Sequence, residues 1–267
     1  MVEFIRSIEG LENVSAPMAW ALVVVLALIV IVSIVAMIVS IMLAIKYVKY
    51  NRRENSLGMS GQNIARQILD DHGLKNIKVS AVGSLMFGNS YSHFFKKVRL
   101  RRLTYKKKSI SSLAMAAQKS SLAILDKEGD KDMKTRIKLV PIITFGPYAF
   151  VPLIVIGVLL DVIFFGATGV VTFVFAGIGI AFYVLSFVLS IMVLKTEKKA
   201  QQKAYEILEQ KNMATAKELE MMKELFHLYN IQYINDLVLS FLELLYRVLM
   251  IIAKAQSGMS SSNSNNK

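Results

Sequence analysis

The sequence predicts a mainly α-helical integral membrane protein, with three to four transmembrane helices and a small cytoplasmic α+β segment. Composition is the first reason. Of 267 residues, 54% are hydrophobic and the mean hydropathy is +0.48, whereas soluble domains lie at about 45–50% apolar. The second reason is where the excess sits. Residues 18–45, 139–160 and 162–194 carry no charged side chain, and each run reaches the roughly 20 helical residues that cross a bilayer core. The third is the placement of Lys and Arg. Before the first run there is Arg6; after it come Lys46, Lys49, Arg52 and Arg53. Lys134, Arg136 and Lys138 precede the second run, and Lys195, Lys198 and Lys199 follow the third. Basic flanks mark the cytoplasmic side. The N-terminus is therefore expected outside, 46–138 in the cytoplasm, and 139–194 as a hairpin returning there, in a multi-pass cell-membrane protein.

Each element has its own signal. Residues 1–17 form an external lead whose acidic Glu3, Glu9 and Glu12 do not suit the basic start of a cleaved signal peptide. Ser15 and Pro17 open the first transmembrane helix, 18–45. A polar linker, 46–60, leads to a helix over 60–72, with Ile64, Ala65, Ile68 and Leu69 at helical spacing and Gly73 as its stop. Residues 77–82 and 98–101 alternate as short strands do and are expected to pair, with 83–95 as a loop between them. Ser109 caps a helix to Leu125, and 126–132 reads as a solvated turn. The hairpin 139–194 bends around 166–169. Asp161 is expected to be solvated at its outer end rather than functional. Residues 195–230 are cytoplasmic helices. Residues 197–210 are amphipathic, and a capping box of Thr215 and Glu218 starts a second helix to Tyr229. Residues 231–255 hold Asn235, Asp236, Glu243 and Arg247 within an apolar stretch, which suits a membrane-packed or interfacial helix. Residues 256–267 have the composition of a disordered tail.

The formal net charge is +13, and its densest run is 96–108. Lys96, Lys97, Arg99, Arg101, Arg102, Lys106, Lys107 and Lys108 make this a candidate basic surface. In a chain tethered to a bilayer such a run suits anionic lipid headgroups, at about 1 kcal/mol per basic residue. Nucleic acid is disfavoured, because no nucleic-acid-binding motif accompanies the charge. There is no Cys, which excludes disulfides and thiolate metal sites. His72, His93 and His227 are the three histidines. None has a partner at metal-ligand spacing, and each suits an ordinary surface or capping role. Glu224 and His227 form one E-x-x-H, where a di-iron site needs two. No Ser/His/Asp set and no phosphate-cradling glycine loop is present.

Residues 109–125 read SISSLAMAAQKSSLAIL, residues 60–79 SGQNIARQILDDHGLKNIKV and residues 98–117 VRLRRLTYKKKSISSLAMAA. Residues 138–157 read KLVPIITFGPYAFVPLIVIG and residues 196–215 TEKKAQQKAYEILEQKNMAT. In order and spacing these segments resemble the bacterial membrane zinc metallopeptidase family, often called YugP-like or neutral zinc metallopeptidases, over about residues 18–255. That family carries a zincin-like A-A-H-E-x-G-H helix, a loop of the L-T-D-H-Y-D-P type and a third metal ligand in V-E-F-D. The resemblance implies that 46–138 is a metallopeptidase-like segment. It also implies that the first metal His falls on Gln118, the general-base Glu on Lys119, the motif Gly on Ser121 and the second metal His on Leu122. The loop motif falls near residues 86–90. The V-E-F-D segment falls on 196–199, so its Glu is kept as Glu197 while its Asp becomes Lys199.

Catalytic zinc needs three protein ligands and an open position, and one carboxylate does not supply them. The family implies zinc; these residues do not support it, and no cofactor is expected. The resemblance therefore implies a degenerate member, a pseudoenzyme acting as a scaffold or binding protein with membrane-protein partners. Two alternatives stay open: an active membrane metallopeptidase with altered ligands, and a basic adaptor at the membrane surface. Lys119 and Glu197 are a candidate ion pair in place of the metal bridge.

Overall fold

The computed structural model describes residues 2–8, 11–83, 88–166 and 169–264. It is mainly helical. In chain order the elements are α1 (Val2–Arg6), α2 (Ala16–Asn51), α3 (Gly61–Asp71), β1 (Lys78–Val82), β2 (Ser90–Ser92), β3 (Lys97–Arg101), α4 (Arg102–Lys106), α5 (Ile110–Lys127), α6 (Lys131–Phe165), α7 (Val170–Gln210) and α8 (Ala216–Ser264). The chain divides into two compact units. One comprises Met1–Ile38, Ile142–Val188 and Ile234–Lys267; the other comprises Val39–Pro141 and Leu189–Tyr233.

The first unit is built from apolar helix. Among the described residues, α2 and α7 are long and apolar enough to cross a membrane by length and composition. Ile5, Leu11 and Val14 of the N-terminal lead pack with Ala19, Leu22 and Ala253, and the Asn13 N–H donates to Ser257 Oγ. Outside such clusters the large side chains face outward, among them Trp20, Ile31, Phe164 and Phe173. α6 and α7 approach closely at Gly157, where a Cβ would lie 2.8 Å from that of Phe175 and 3.1 Å from Thr172 Cα. Asp161 corrects an expectation. It is 2% exposed rather than solvated, and its carboxylate accepts from Thr172 Oγ1 at 3.2 Å. Burial of an acid is tolerable when donors replace its water, and the close α6–α7 approach supplies one.

The second unit has a mixed α/β core. Ser60 caps α3 by accepting from the Asn63 N–H, and Gly73 ends it with φ +67°. Gly61 has a specific reason to lack a side chain: a Cβ there would lie 2.1 Å from the Thr104 carbonyl oxygen. β1 pairs with β3 in parallel, from Lys78 opposite Lys97 to Val82 opposite Arg101. β2, inside the segment expected to be a loop, adds antiparallel on the far side of β3. Along β3, Val98 and Leu100 are buried while Arg101 is exposed, the period-two alternation of a one-sided sheet.

α5 is the core helix of this unit. Ser109 caps it by accepting from the Ser112 N–H. Every residue from Ile110 to Leu125 is buried, because its Ser and Ala side chains let other elements close in on all faces. α3, α4, β2 and β3 all pack against it.

Several boundaries differ from the sequence reading. α2 continues through Lys46 and Lys49 to Asn51, and α6 starts at Lys131. α8 is one helix where 215–229 and 231–255 read as two, and it runs on to Ser264 where a tail was expected. Charge marks where apolar runs stop, but neither Pro nor Gly stands at residues 45–51 or 229–231 to stop the helix there. Asp126, expected in a solvated turn, lies inside α5.

Candidate functional site

The turn of α5 that the resemblance sets against the zincin motif faces α7. Lys119 is 9% exposed and Gln118 5%, and both reach Glu197. Lys119 Nζ donates to Glu197 Oε2 at 2.8 Å, and Gln118 Nε2 donates to the same oxygen at 2.9 Å. The other oxygen, Oε1, accepts from Arg136 Nη2 at 2.7 Å. Arg136 stands near the start of α6, where the sequence reading valued it only as a topology signal. One carboxylate thus bridges α5, α6 and α7. Burial would raise the Glu197 pKa, but the Lys119 and Arg136 cations outweigh it and hold the carboxyl down at about 2. Among the described residues Arg136 Nη1 has no partner.

Leu122 does not join this cluster. It is fully buried and packs with Leu125, Met133 and Ala200, an apolar contact between the same three helices. Ser120 Oγ donates to the Ala65 carbonyl, and Ser121 Oγ is buried without a partner among the described residues. Neither hydroxyl meets the Lys119 amine, so the geometry offers no Ser–Lys pair. Lys199, where the family's Asp was expected, lies 2.8 Å from Asp130 and 2.5 Å from Asp132. Those contacts hold both aspartate pKa values down and that of Lys199 up. Lys195 and Lys203, one helical turn to either side on α7, meet Asp132 and Glu128.

The histidines are dispersed. His72 Nδ1 lies 2.7 Å from the Ile68 carbonyl at the end of α3, and His227 is exposed on α8. His93 Nδ1 lies 2.6 Å from Asp126 Oδ2, an oxygen that also accepts from Tyr91 Oη at 2.5 Å. Burial and the Asp126 carboxylate push the Tyr91 phenol far above its ordinary range. Among the described residues no group of three His, Cys, Asp or Glu stands ready to hold a metal.

A cavity of about 300 Å³ adjoins the cluster, lined by Gln118, Lys119 and Glu197 together with Tyr47, Tyr229 and Tyr233. Gly88, Asn89 and Arg101 reach it from the sheet side; Met86 and Phe87 of the loop motif lie outside the described residues. Asn89 Oδ1 accepts from the Arg101 N–H at 2.7 Å. Gln201 and Asn230 close the far wall with a reciprocal amide pair at 3.0 and 2.8 Å. Burial raises the Tyr229 phenol to about 12, with Tyr47 adding to the shift and Arg101 opposing it.

The basic run does not form one face of a helix. Lys97, Arg99 and Arg101 alternate along β3, Arg102 and Lys106 lie on α4, and Lys107 and Lys108 join α4 to α5. Lys96 sits at φ +46° in the β2–β3 turn, and Arg99 stacks over the Phe95 ring at 5.2 Å. Of these eight, Arg101 lines the cavity.

Comparisons with known proteins place most of the chain in one family. The family model described as "Putative neutral zinc metallopeptidase" matches residues 25–252. A curated relative, "Putative membrane protease YugP" of Bacillus subtilis (strain 168), is 24% identical over 206 residues, covering 77% of this chain and 87% of its own. No solved structure matches significantly. Most of the chain, including α5 and the Glu197 segment of α7, lies within the matched range, and the chain belongs to the neutral zinc metallopeptidase family.

Proposed function

We propose that the chain is a catalytically inactive member of this membrane metallopeptidase family that works by binding. The observation that carries the reading is the state of Glu197. Both of its oxygens are engaged, by Lys119 and Gln118 on one and Arg136 on the other. A catalytic zinc needs deprotonated ligands and an open coordination position. Here the neighbouring donors are an amide, an ammonium and a guanidinium, and the ammonium stands where a dication would have to approach. These residues do not fit zinc. They retain the bridge between helices that a metal provides, and replace it with charge-assisted hydrogen bonds.

In this reading the protein is an integral membrane scaffold. The runs 18–45, 139–160 and 162–194 cross the bilayer, and 231–255 packs beside them as a fourth span or lies at the interface. The N-terminus is outside and 46–138 cytoplasmic. Its partners are other membrane proteins, and the basic run 96–108 meets anionic headgroups. Metal analysis of detergent-purified protein, paired with digestion of an unfolded test substrate, tests the reading. The expected result is no stoichiometric zinc and no chelator-sensitive cleavage. Stoichiometric zinc that disappears in Glu197→Gln would overturn it.

A further inference from the structure

The cavity beside Glu197 has more positive charge than its walls neutralise. Lys119, Arg136 and Arg101 stand at or next to it, and Glu197 is the one carboxylate among its described lining residues. Lys119 carries three N–H donors, and among the described residues they meet one acceptor, Glu197 Oε2, at 2.8 Å. The Arg101 guanidinium makes no ion pair among the described residues. Cationic surplus in a partly buried site is costly unless an anion relieves it.

The remaining lining residues indicate which anion. Tyr47 lies two residues past the uncharged run 18–45, Val193 and Leu194 are the last residues of the run 162–194, and Tyr233 opens the apolar stretch 231–255. Three helices thus line the cavity at the positions where their apolar runs end. In a membrane-spanning chain those positions lie at headgroup depth, where Tyr is favoured. The lining combines cations, Tyr hydroxyls and the Asn89 amide with apolar Val193, Leu194 and Met115, a mixture that matches an amphiphile with an anionic head.

We propose that this cavity binds the phosphodiester headgroup of an anionic phospholipid, with Lys119 and Arg101 as the phosphate-contacting residues. The inference rests on the reading that no metal holds the site. Stoichiometric zinc would sink that reading, whereas zinc-free protein indifferent to headgroup charge sinks only this proposal.

The test uses the full chain in a neutral detergent. Thermal unfolding is followed with added dihexanoyl phosphatidylglycerol, dihexanoyl phosphatidylcholine or inorganic phosphate. Phosphatidylglycerol is expected to raise Tm in a saturable, salt-sensitive manner, and the other two to leave it unchanged. Arg101→Gln, at an exposed strand end, is expected to weaken the phosphatidylglycerol effect roughly tenfold, as for loss of one charge-assisted contact. Lys119→Met should do the same where it folds. Replacing Lys106, Lys107 and Lys108 by Ser should leave the effect intact. Equal responses to the two lipids overturn the proposal. So does inorganic phosphate matching phosphatidylglycerol, or a response that survives Arg101→Gln but is lost in the triple Ser variant.

Discussion

Two carboxylates are held by groups on α5 or by α5 itself, and they are held differently. Glu197 takes an ammonium, a guanidinium and an amide. Asp126 takes a phenol and an imidazole, Tyr91 and His93, at the end of the same helix. Both carboxylates are largely screened from water, at 16% and 11% side-chain exposure. The difference teaches how a buried acid responds when its partners are cations and when they are a phenol and an imidazole. At Glu197 the attraction outweighs desolvation and the pKa falls. At Asp126 the visible consequence is on the donor, whose phenol is pushed up.

The largest way to break this contrast is Glu197→Ala. It leaves Lys119 and Arg136 buried without a counter-charge, and a loss of about 3–5 kcal/mol is expected in chemical denaturation. Replacing Lys119, Glu197 and Arg136 together by Met, Leu and Met should recover most of that loss, since an intact apolar cluster desolvates no charge. Failure of the triple variant to exceed Glu197→Ala would mean that the cluster is held by shape rather than by charge.

Acid comes next. The Glu197 pKa is lowered in the folded state from 4.5 to about 2. Its contribution is therefore complete above the unfolded value and lost as pH falls through the folded one. About 3 kcal/mol should disappear between roughly pH 5 and pH 2. The acid limb of a stability–pH curve should flatten in Glu197→Gln; an unchanged limb would assign the acid sensitivity to other carboxylates.

The smallest effects belong to the Asp126 side. Asp126→Asn should cost about 1–3 kcal/mol and Tyr91→Phe about 1 kcal/mol, as for partners of a hydrogen-bonded carboxylate. A cost for Asp126→Asn as large as that of Glu197→Ala would erase the distinction between the two regions.

The core helix was legible because its signals are local. Ser109 caps it, and the run to Leu125 follows; that every residue from Ile110 to Leu125 is buried is a finding of the structure. The β1–β3 pair was legible from alternation. β2 was not, because three residues ending beside His93 carry no run long enough to show a period. Lys119 and Glu197 could be named as a pair from the resemblance, since a metal bridge and an ion pair join the same two positions. Arg136 could not. Its role depends on α6 beginning at Lys131, so that the Arg136 side chain, one and a half turns on, meets α7. Nothing in the spacing from 136 to 197 records that. Asp126 was misplaced because DKEGDKD reads as solvated turn by composition, whereas its first residue still belongs to the helix and finds donors on the neighbouring strand and turn.

Lys199 bears on whether a metal could be placed in this scaffold. By the resemblance, a metal site would ask for Asp there, in the place assigned to the family's acid. That aspartate would face Asp130 and Asp132, three like charges where two are now held by a lysine. Glu introduced at 119 alone would strip Glu197 of its ammonium while His at 118 and 122 were still missing from a three-ligand set. Under the proposed reading each substitution is worse alone than in company. For an engineer the lesson is practical: installing a metal in this scaffold calls for changing Asp130 and Asp132 of the α5–α6 region together with the helix motif.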